Sequence, residues 1–390
     1  MKKLSLLALA LCSFSLSAQN FIEAYQQRAD QVSQTNINSY LTKFAALGVK
    51  TTGSVANNNA YDWLRSQYLS FGYEESQLSE NAFSYGGKTT KNLILTKTGT
   101  KYPDTYVIVC GHYDTIVGPG VNDNGSGVSL ILEVARILKD VPTEYSIKFI
   151  NFSGEEQGLL GSQHYVNTVV NGTTPKMDIK LVFNIDQVGG VAGSTNNTIT
   201  CEQDFSVPNS NNAASAQVTQ ELIKLVGLYS PLQTKTDLAY ASDYMPFQTN
   251  GEVITGFYES NESTHPHTSS DIYANMDPVY LYQVTKAAVG AVQHFATAGT
   301  ALLSAIDPGL EKLNGIQLYP NPVTDLLHIS FPTEVPPKYT LVLTDMAGKK
   351  VLQVQNQSTV NLSRLVKGMY VATLTAGDEH ISRKIMVSPK

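Results

Sequence analysis

Beyond its first eighteen residues this chain has no long apolar run, and so no segment that reads as a membrane span, which needs about 20 such residues. Charge is sparse: 15% of the residues are Asp, Glu, Lys or Arg, and 27 basic against 33 acidic side chains leave a net charge of −6. That balance lacks the basic footprint of a nucleic-acid binder. Cysteine is scarce, three in 390 residues, which excludes a disulfide-built scaffold. Export would permit Cys110 and Cys201 to pair, but Cys110 sits within an apolar run, where an unpaired thiol behaves as a small hydrophobe. Repeats of fixed period and low-complexity tracts are missing too. What the chain has is 42% apolar residues, enough for well-packed globular structure and too many for disorder.

The one apolar N-terminal stretch follows Lys2 and Lys3 and ends near Ala18. It is shorter than a membrane span and reads as a targeting segment, residues 1–18, removed on export. The mature form is expected to carry no membrane span.

"KNLILTKTG" reads as an early strand, and from 105 to 190 strand-like and helix-like segments alternate: "TYVIVCG", "GVSLILEVARILKD", "YSIKFINFS", "LLGSQHYVNTVV" and "IKLVFNID". Helix-type spacing covers 21–47 and 57–71, a further helix and strand follow in "AASAQVTQELIKLVGLY" and "EVITGFYES", and "PVYLYQVTKAAVGAVQHFATA" closes the region near residue 298. Continuous apolar strands between helices predict an α/β fold with a mixed, mainly parallel sheet sandwiched by helices. After a linker at 299–314 the character changes. Residues 315–390 hold short alternating strands separated by Pro, Gly and polar turns, the pattern of a small all-β sandwich.

Three apolar runs end in acid or imidazole. "YVIVCGHYDT" delivers His112 and Asp114, "SIKFINFSGEEQGLLGS" delivers Glu155 and Glu156, and "IKLVFNIDQVGG" delivers Asp186. "GPGVNDNGSG" places Asp123 on a glycine-rich turn before a helix, and "ESNESTHPHTSSD" brings His265 and His267. Open α/β sheets bind ligands beyond the carboxyl ends of their strands. Nitrogen and oxygen donors gathered there, without thiolates, describe a metal site that keeps a position open for chemistry. Asp123, Glu156 and Asp186 with one hydroxide carry the charge that balances two zinc ions. Asp123 would bridge them, leaving Glu155 free as a base. Asp114 would accept the second ring N–H of His112. His164, His294, His328 and His380 read as structural or surface residues.

In this order the motifs "GHYDT", "GPGVNDNGSG", "SGEEQGLLGS", "NIDQVGG", "ASDYMPF" and "HPHTSSD" resemble the secreted two-zinc (co-catalytic) aminopeptidases, leucyl-type and vacuolar, over about residues 20–298. The resemblance implies hydrolysis of peptides at a free N-terminus. It gives His112 and Asp186 to one zinc, Glu156 and His267 to the other, Asp123 to both, Glu155 the role of general base and Asp114 the role of partner to His112. It leaves His265 outside the ligand set and implies a cis peptide bond between Asp123 and Asn124. Tyr240 is a candidate donor to the oxyanion. Asn124, Gln187 and Tyr244 depart from residues common in the family, and Gln187 is polar where leucine-preferring members are apolar, so leucine preference does not carry over.

The tail pieces "YPNP", "TDMAGKKVL" and "LVKGMY" resemble the sorting domain of the type IX secretion system of the Bacteroidetes. That implies passage through the periplasm to the medium or the cell surface, with the secretion machinery as partner. Alternatives are a carboxypeptidase or dipeptidase of the same family, a glutaminyl cyclase using one zinc on the same fold, and an adhesin on a dead peptidase scaffold.

Overall fold

The computed structural model describes residues 21–301, 316–331, 338–345, 349–376 and 379–388. The targeting segment 1–18 and most of the linker 299–314 lie outside the described residues. The chain divides into two compact units after residue 303.

The first unit is built on an eight-stranded sheet. Its strands are β1 (Leu78–Tyr85), β2 (Lys88–Lys97), β3 (Tyr102–His112), β4 (Tyr145–Phe152), β5 (Asp178–Ile185), β6 (Thr198–Gln203), β7 (Gln233–Leu238) and β8 (Ile254–Glu259). They lie in the order β1-β2-β4-β3-β5-β8-β6-β7. The centre, β4-β3-β5-β8, is parallel throughout. β2 and β6 join it antiparallel, β1 pairs antiparallel with β2 at one edge, and β7 runs parallel to β6 at the other. β3 shows why the centre reads as unbroken apolar sequence. Val107 and Val109 enter the core on one face, Ile108 and Cys110 the core on the other. A strand alternates its faces, and here both faces are covered.

The larger core is closed by α1 (Glu23–Ala29), α2 (Gln34–Ala46), α3 (Val55–Ser70), α4 (Gly125–Leu138), α6 (Asn212–Tyr229) and α8 (Pro278–Phe295). The opposite face carries α5 (Leu160–Tyr165) and α7 (Met245–Thr249). Caps set the helix starts. Ser33, Ser54, Asn124 and Asp277 each accept a hydrogen bond from a backbone N–H of the first turn, which satisfies donors that a helix start leaves orphaned. The Ser33 cap also splits the helical spacing over 21–47 into α1 and α2. The helix expected over 159–170 ends after α5 and continues as a wide π-type turn over Val166–Val170. No helix among the described residues is long and apolar enough to cross a membrane. Cys110 and Cys201 are both buried and unpaired, so no disulfide joins them.

The second unit is all β. Its strands are β9 (Gln317–Tyr319), β10 (Leu326–Ser330), β11 (Thr340–Asp345), β12 (Lys350–Gln355), β13 (Thr359–Asn361), β14 (Gly368–Ala376) and β15 (Glu379–Val387). They form sheets β13-β10-β9 and β12-β11-β14-β15 around one core that includes Leu327, Leu341, Leu343, Val360 and Leu374.

Candidate metal centre

The carboxyl ends of the central strands meet at one edge of the sheet, and the candidate residues sit there. His112 is the last residue of β3, Glu155 and Glu156 follow β4 after a Ser-Gly turn, and Asp186 follows β5 directly. Asp123 immediately precedes the Asn124 cap of α4. His267 lies in the segment after β8 and has a positive φ of 58°. The turn into α4 approaches β5 closely. Asn124 Nδ2 donates to the Ile185 carbonyl at 2.9 Å, and a Cβ on Gly127 would lie 2.6 Å from that same oxygen. Glycine is therefore required there. The Asp123–Asn124 peptide bond is cis, as the resemblance implied.

Asp123 lies between the two imidazoles. Its Oδ1 is 3.2 Å from His112 Nε2 and its Oδ2 is 3.1 Å from His267 Nε2. His112 Nε2 is also 3.3 Å from Asp186 Oδ1, and His267 Nε2 is 3.0 Å from Glu156 Oε2. Each imidazole thus meets Asp123 and one further carboxylate. His112, Asp123 and Glu156 each present a donor atom within 4.8 Å of the others. Asp123 Oδ2 is buried and accepts no hydrogen bond. Two imidazole nitrogens, carboxylate oxygens and an orphaned carboxylate oxygen between them form a donor set that fits zinc.

The electrostatics agree. Burial pushes the Glu155 carboxyl up to about 10, against the pull of His112 and with help from Asp186 and Asp243. Burial and then the Asp123 charge lift Glu156 to about 8. Burial also acts to raise Asp123, but the adjoining His112 and His267 imidazoles outweigh it and hold that carboxyl at about 2. The Asp123 contact lifts His267 to about 9. Burial disfavours the charged form of His112, yet Asp186 and Glu155 hold its proton well above the ordinary range. Crowded, buried acids of this kind are stabilised by cations, and bound metal is the strongest local source of positive charge.

A profile of peptidase family M28 matches residues 92–292, just over half of the chain and the whole stretch that carries these residues. The chain belongs to peptidase family M28. A second profile, the secretion system C-terminal sorting domain, matches residues 317–388, nearly the whole all-β unit. Aminopeptidase YwaD of Bacillus subtilis is 32% identical over 231 residues, which are 56% of this chain and 47% of that protein. The chain therefore spans about half the length of this curated relative. Among solved structures, the Legionella pneumophila LapA aminopeptidase aligns with a TM-score of 0.60 at 22% identity, covering 74% of this chain and 79% of that one. The Fimbriiglobus ruber glutaminyl cyclase aligns at 0.55 and 17%, covering 67% and 95%. At these identities both structures speak for the fold alone.

Around the M28 donor set lies a supporting shell. Asp114 is fully buried beneath it. Its carboxylate accepts the Glu155 N–H at 3.2 Å, the Glu156 N–H at 3.3 Å and the Thr52 hydroxyl at 3.1 Å. It therefore clamps the turn that aims both glutamates. The expected ring partner differs in detail: His112 Nδ1 faces the Asp114 backbone oxygen at 3.1 Å, with the carboxylate at 3.8 Å. The sequence reading missed Asp271, which accepts the N–H of Asn122 at 2.8 Å and of Asp123 at 3.0 Å. It also missed Ser242, which donates to Asp186 Oδ2 at 2.7 Å and accepts from Asn184 at 2.9 Å. Both stood inside quoted motifs, "HPHTSSD" and "ASDYMPF". A third omission, Asp243, is fully buried with neither carboxylate oxygen hydrogen-bonded, and burial pushes it up to about 7.

The site opens into a cleft of about 540 Å³ lined by His112, Asp123, Glu155, Glu156, Asp186 and His267 on one side. Gln187, Glu202, Tyr240, Tyr244 and Tyr258 also line it. His265, not expected as a ligand, bonds Ser270 Oγ through Nδ1 at 2.8 Å. His294 and His328 have structural partners in Tyr229 and Thr359, and His164 lies against the Phe83 ring. The His380 side chain lies outside what the structure describes.

Proposed function

We propose that this M28 chain is an exported metallo-aminopeptidase that removes N-terminal residues from peptides at a two-zinc site. The observation that carries the reading is Asp123, whose two carboxylate oxygens face two different imidazoles, each paired with its own second acid. On that geometry His112 and Asp186 would hold one ion, His267 and Glu156 the other, and Asp123 both. Bound zinc supplies Lewis acidity, polarising a carbonyl and lowering the pKa of water.

The chain's own residues do the rest. Glu155 lines the cleft without a role among the proposed ligands, so it is the group placed to take the proton of the attacking water and return it to the leaving amine. Asp114 holds its backbone in position. Ser242 and Asn184 orient Asp186, and Asp271 orients Asp123, so the acids reach the reaction already fixed. The excess of carboxylates favours a substrate with a free ammonium group, which supports cleavage at the N-terminus. Tyr240, half exposed on the cleft wall, is a candidate donor to the developing oxyanion.

Residues 1–18 would direct export, and the unit from 315 to 390 would act as the passenger signal for type IX secretion, which supports delivery to the medium or the cell surface. A panel of aminoacyl-nitroanilides, with and without chelator, tests the activity. Hydrolysis that phenanthroline abolishes is expected, and zinc-loaded protein inert on all of them would contradict it. The fold likeness to a glutaminyl cyclase motivates a second reading, tested by one zinc per chain and cyclisation of a Gln-initial peptide.

A further inference from the structure

Away from the metals, the cleft ends on a carboxylate with no assigned work. Glu202 lies on β6, where Cys201 points into the large core and Glu202, next in the strand, points to the opposite face. It is 3% exposed, yet it lines the cleft. Its partner across the sheet is Gly256 on β8. A Cβ at Gly256 would stand 2.7 Å from Glu202 Oε2 and 2.9 Å from the Tyr244 ring. The missing side chain makes room for the acid and for the tyrosine beside it.

Among the described residues no cation answers this acid. The Tyr244 hydroxyl meets it, and the charged groups that act on it, Asp186 and Asp237, are both acidic. Burial pushes its carboxyl up to about 8, as expected of a buried acid without a positive partner. The walls around it are aromatic and polar. Tyr240 and Tyr258 pack edge to face with ring centroids 6.3 Å apart, and the Tyr258 hydroxyl donates to Gln187 Oε1 at 3.4 Å. Aliphatic lining is confined to Leu159 and Ala241. Glu202 is two strands from β5, the strand that carries Asp186 at its end, or about 10 Å at ordinary strand spacing. A long side chain attached at the scissile residue spans such a gap.

We propose that Glu202 is a specificity-determining residue, and that the cleft selects peptides whose N-terminal residue has a basic side chain, the cation held by the Glu202 carboxylate alongside the Tyr240–Tyr258 pair. This rests on the aminopeptidase reading. A lysine or arginine brings the missing positive charge to a buried acid, and tyrosine faces attract cations. A norleucine or leucine leaves the acid desolvated and unpaired, and sites built around a polar partner discriminate strongly against ligands that lack it.

The test compares lysyl, arginyl, norleucyl and leucyl nitroanilides on the zinc-loaded full chain. Norleucine matches the lysine stem without its charge. The wild type is expected to favour lysyl over norleucyl substrate by at least about 10-fold in kcat/KM, and Glu202→Gln is expected to lower that ratio by about 10- to 100-fold, the scale of one hydrogen bond to a charged group. A wild-type ratio at or below one overturns the proposal without any variant. An equal loss on all four substrates in Glu202→Gln overturns it as well, because it would assign the acid to the free α-amine. Calorimetric binding of lysinamide against norleucinamide separates this proposal from the reading beneath it. Tighter lysinamide binding without turnover would sink the aminopeptidase reading and keep the pocket, whereas equal binding of the two amides would sink the pocket whatever the turnover.

Discussion

Asp114→Asn isolates the part of the site that the metals do not touch. The wild-type carboxylate is fully buried and accepts three hydrogen bonds, two of them from the N–H groups of Glu155 and Glu156. An amide keeps one oxygen. Its NH₂ must then face either the Glu155 N–H or both the Glu156 N–H and the Thr52 hydroxyl. A bond to a charged acceptor contributes about 1.5–3 kcal/mol, and a buried donor left unmet costs about 1–3 kcal/mol. With partial relaxation we expect the variant to be about 2–4 kcal/mol less stable in urea unfolding. The turn would also loosen under Glu155 and Glu156, and losses of this kind in residues that orient metal ligands lower metal affinity or activity about 10- to 100-fold. Chelator competition reads the first and nitroanilide turnover the second. A folded Asp114→Asn protein with zinc affinity and kcat both within about twofold of wild type would refute the clamp, since that lies well below the expected loss.

Glu155→Gln should keep its metal and lose about 10²–10⁴ in kcat, and loss of metal in that variant would exchange the roles given to Glu155 and Glu156. His294, whose Nε2 lies 2.8 Å from the Tyr229 hydroxyl, is held by burial at about 4, below its ordinary 6.5. It therefore binds its proton more readily unfolded, so its contribution to stability is present above pH 6.5 and is lost as pH falls toward 4. His294→Asn should flatten the acid side of the stability curve, and an unchanged slope between those values would count against this. Deleting residues 315–390 should leave a soluble, active enzyme in a heterologous host and strand it in the periplasm of a native-type host, because that unit has its own core. Normal release of the truncated protein would remove the sorting role.

The parts legible in the sequence are those with a local signature. Strands β3, β4, β5 and β8 announce themselves because their inner stretches are buried on both faces and mostly apolar. The donors at their ends stand out because acid or imidazole directly after such a run has few structural uses in combination. Strands β1 and β7 are mostly exposed, with burial patterns that never alternate cleanly, so periodicity had nothing to report. The split between α1 and α2 depends on one capping serine within an otherwise continuous helical spacing. Glu202 was invisible for a different reason. Its neighbours Gly256, Tyr244 and Asp186 come from separate segments, and only the strand order β5-β8-β6 brings them beside it. Ser242 and Asp271 were in view inside recognised motifs, but their hydrogen bonds to Asp186 and to the backbone of Asp123 depend on tertiary placement.

The central claim is that Asp123 joins two metal sites, and zinc content per chain tests it most directly. Purified protein, dialysed against metal-free buffer and assayed for zinc and protein together, should hold two zinc ions per chain. Asp123→Ala should lose both ions, with activity lost in parallel. A fully active preparation that holds one zinc or none, or an Asp123→Ala variant that retains one tightly bound ion and normal turnover, would contradict the account.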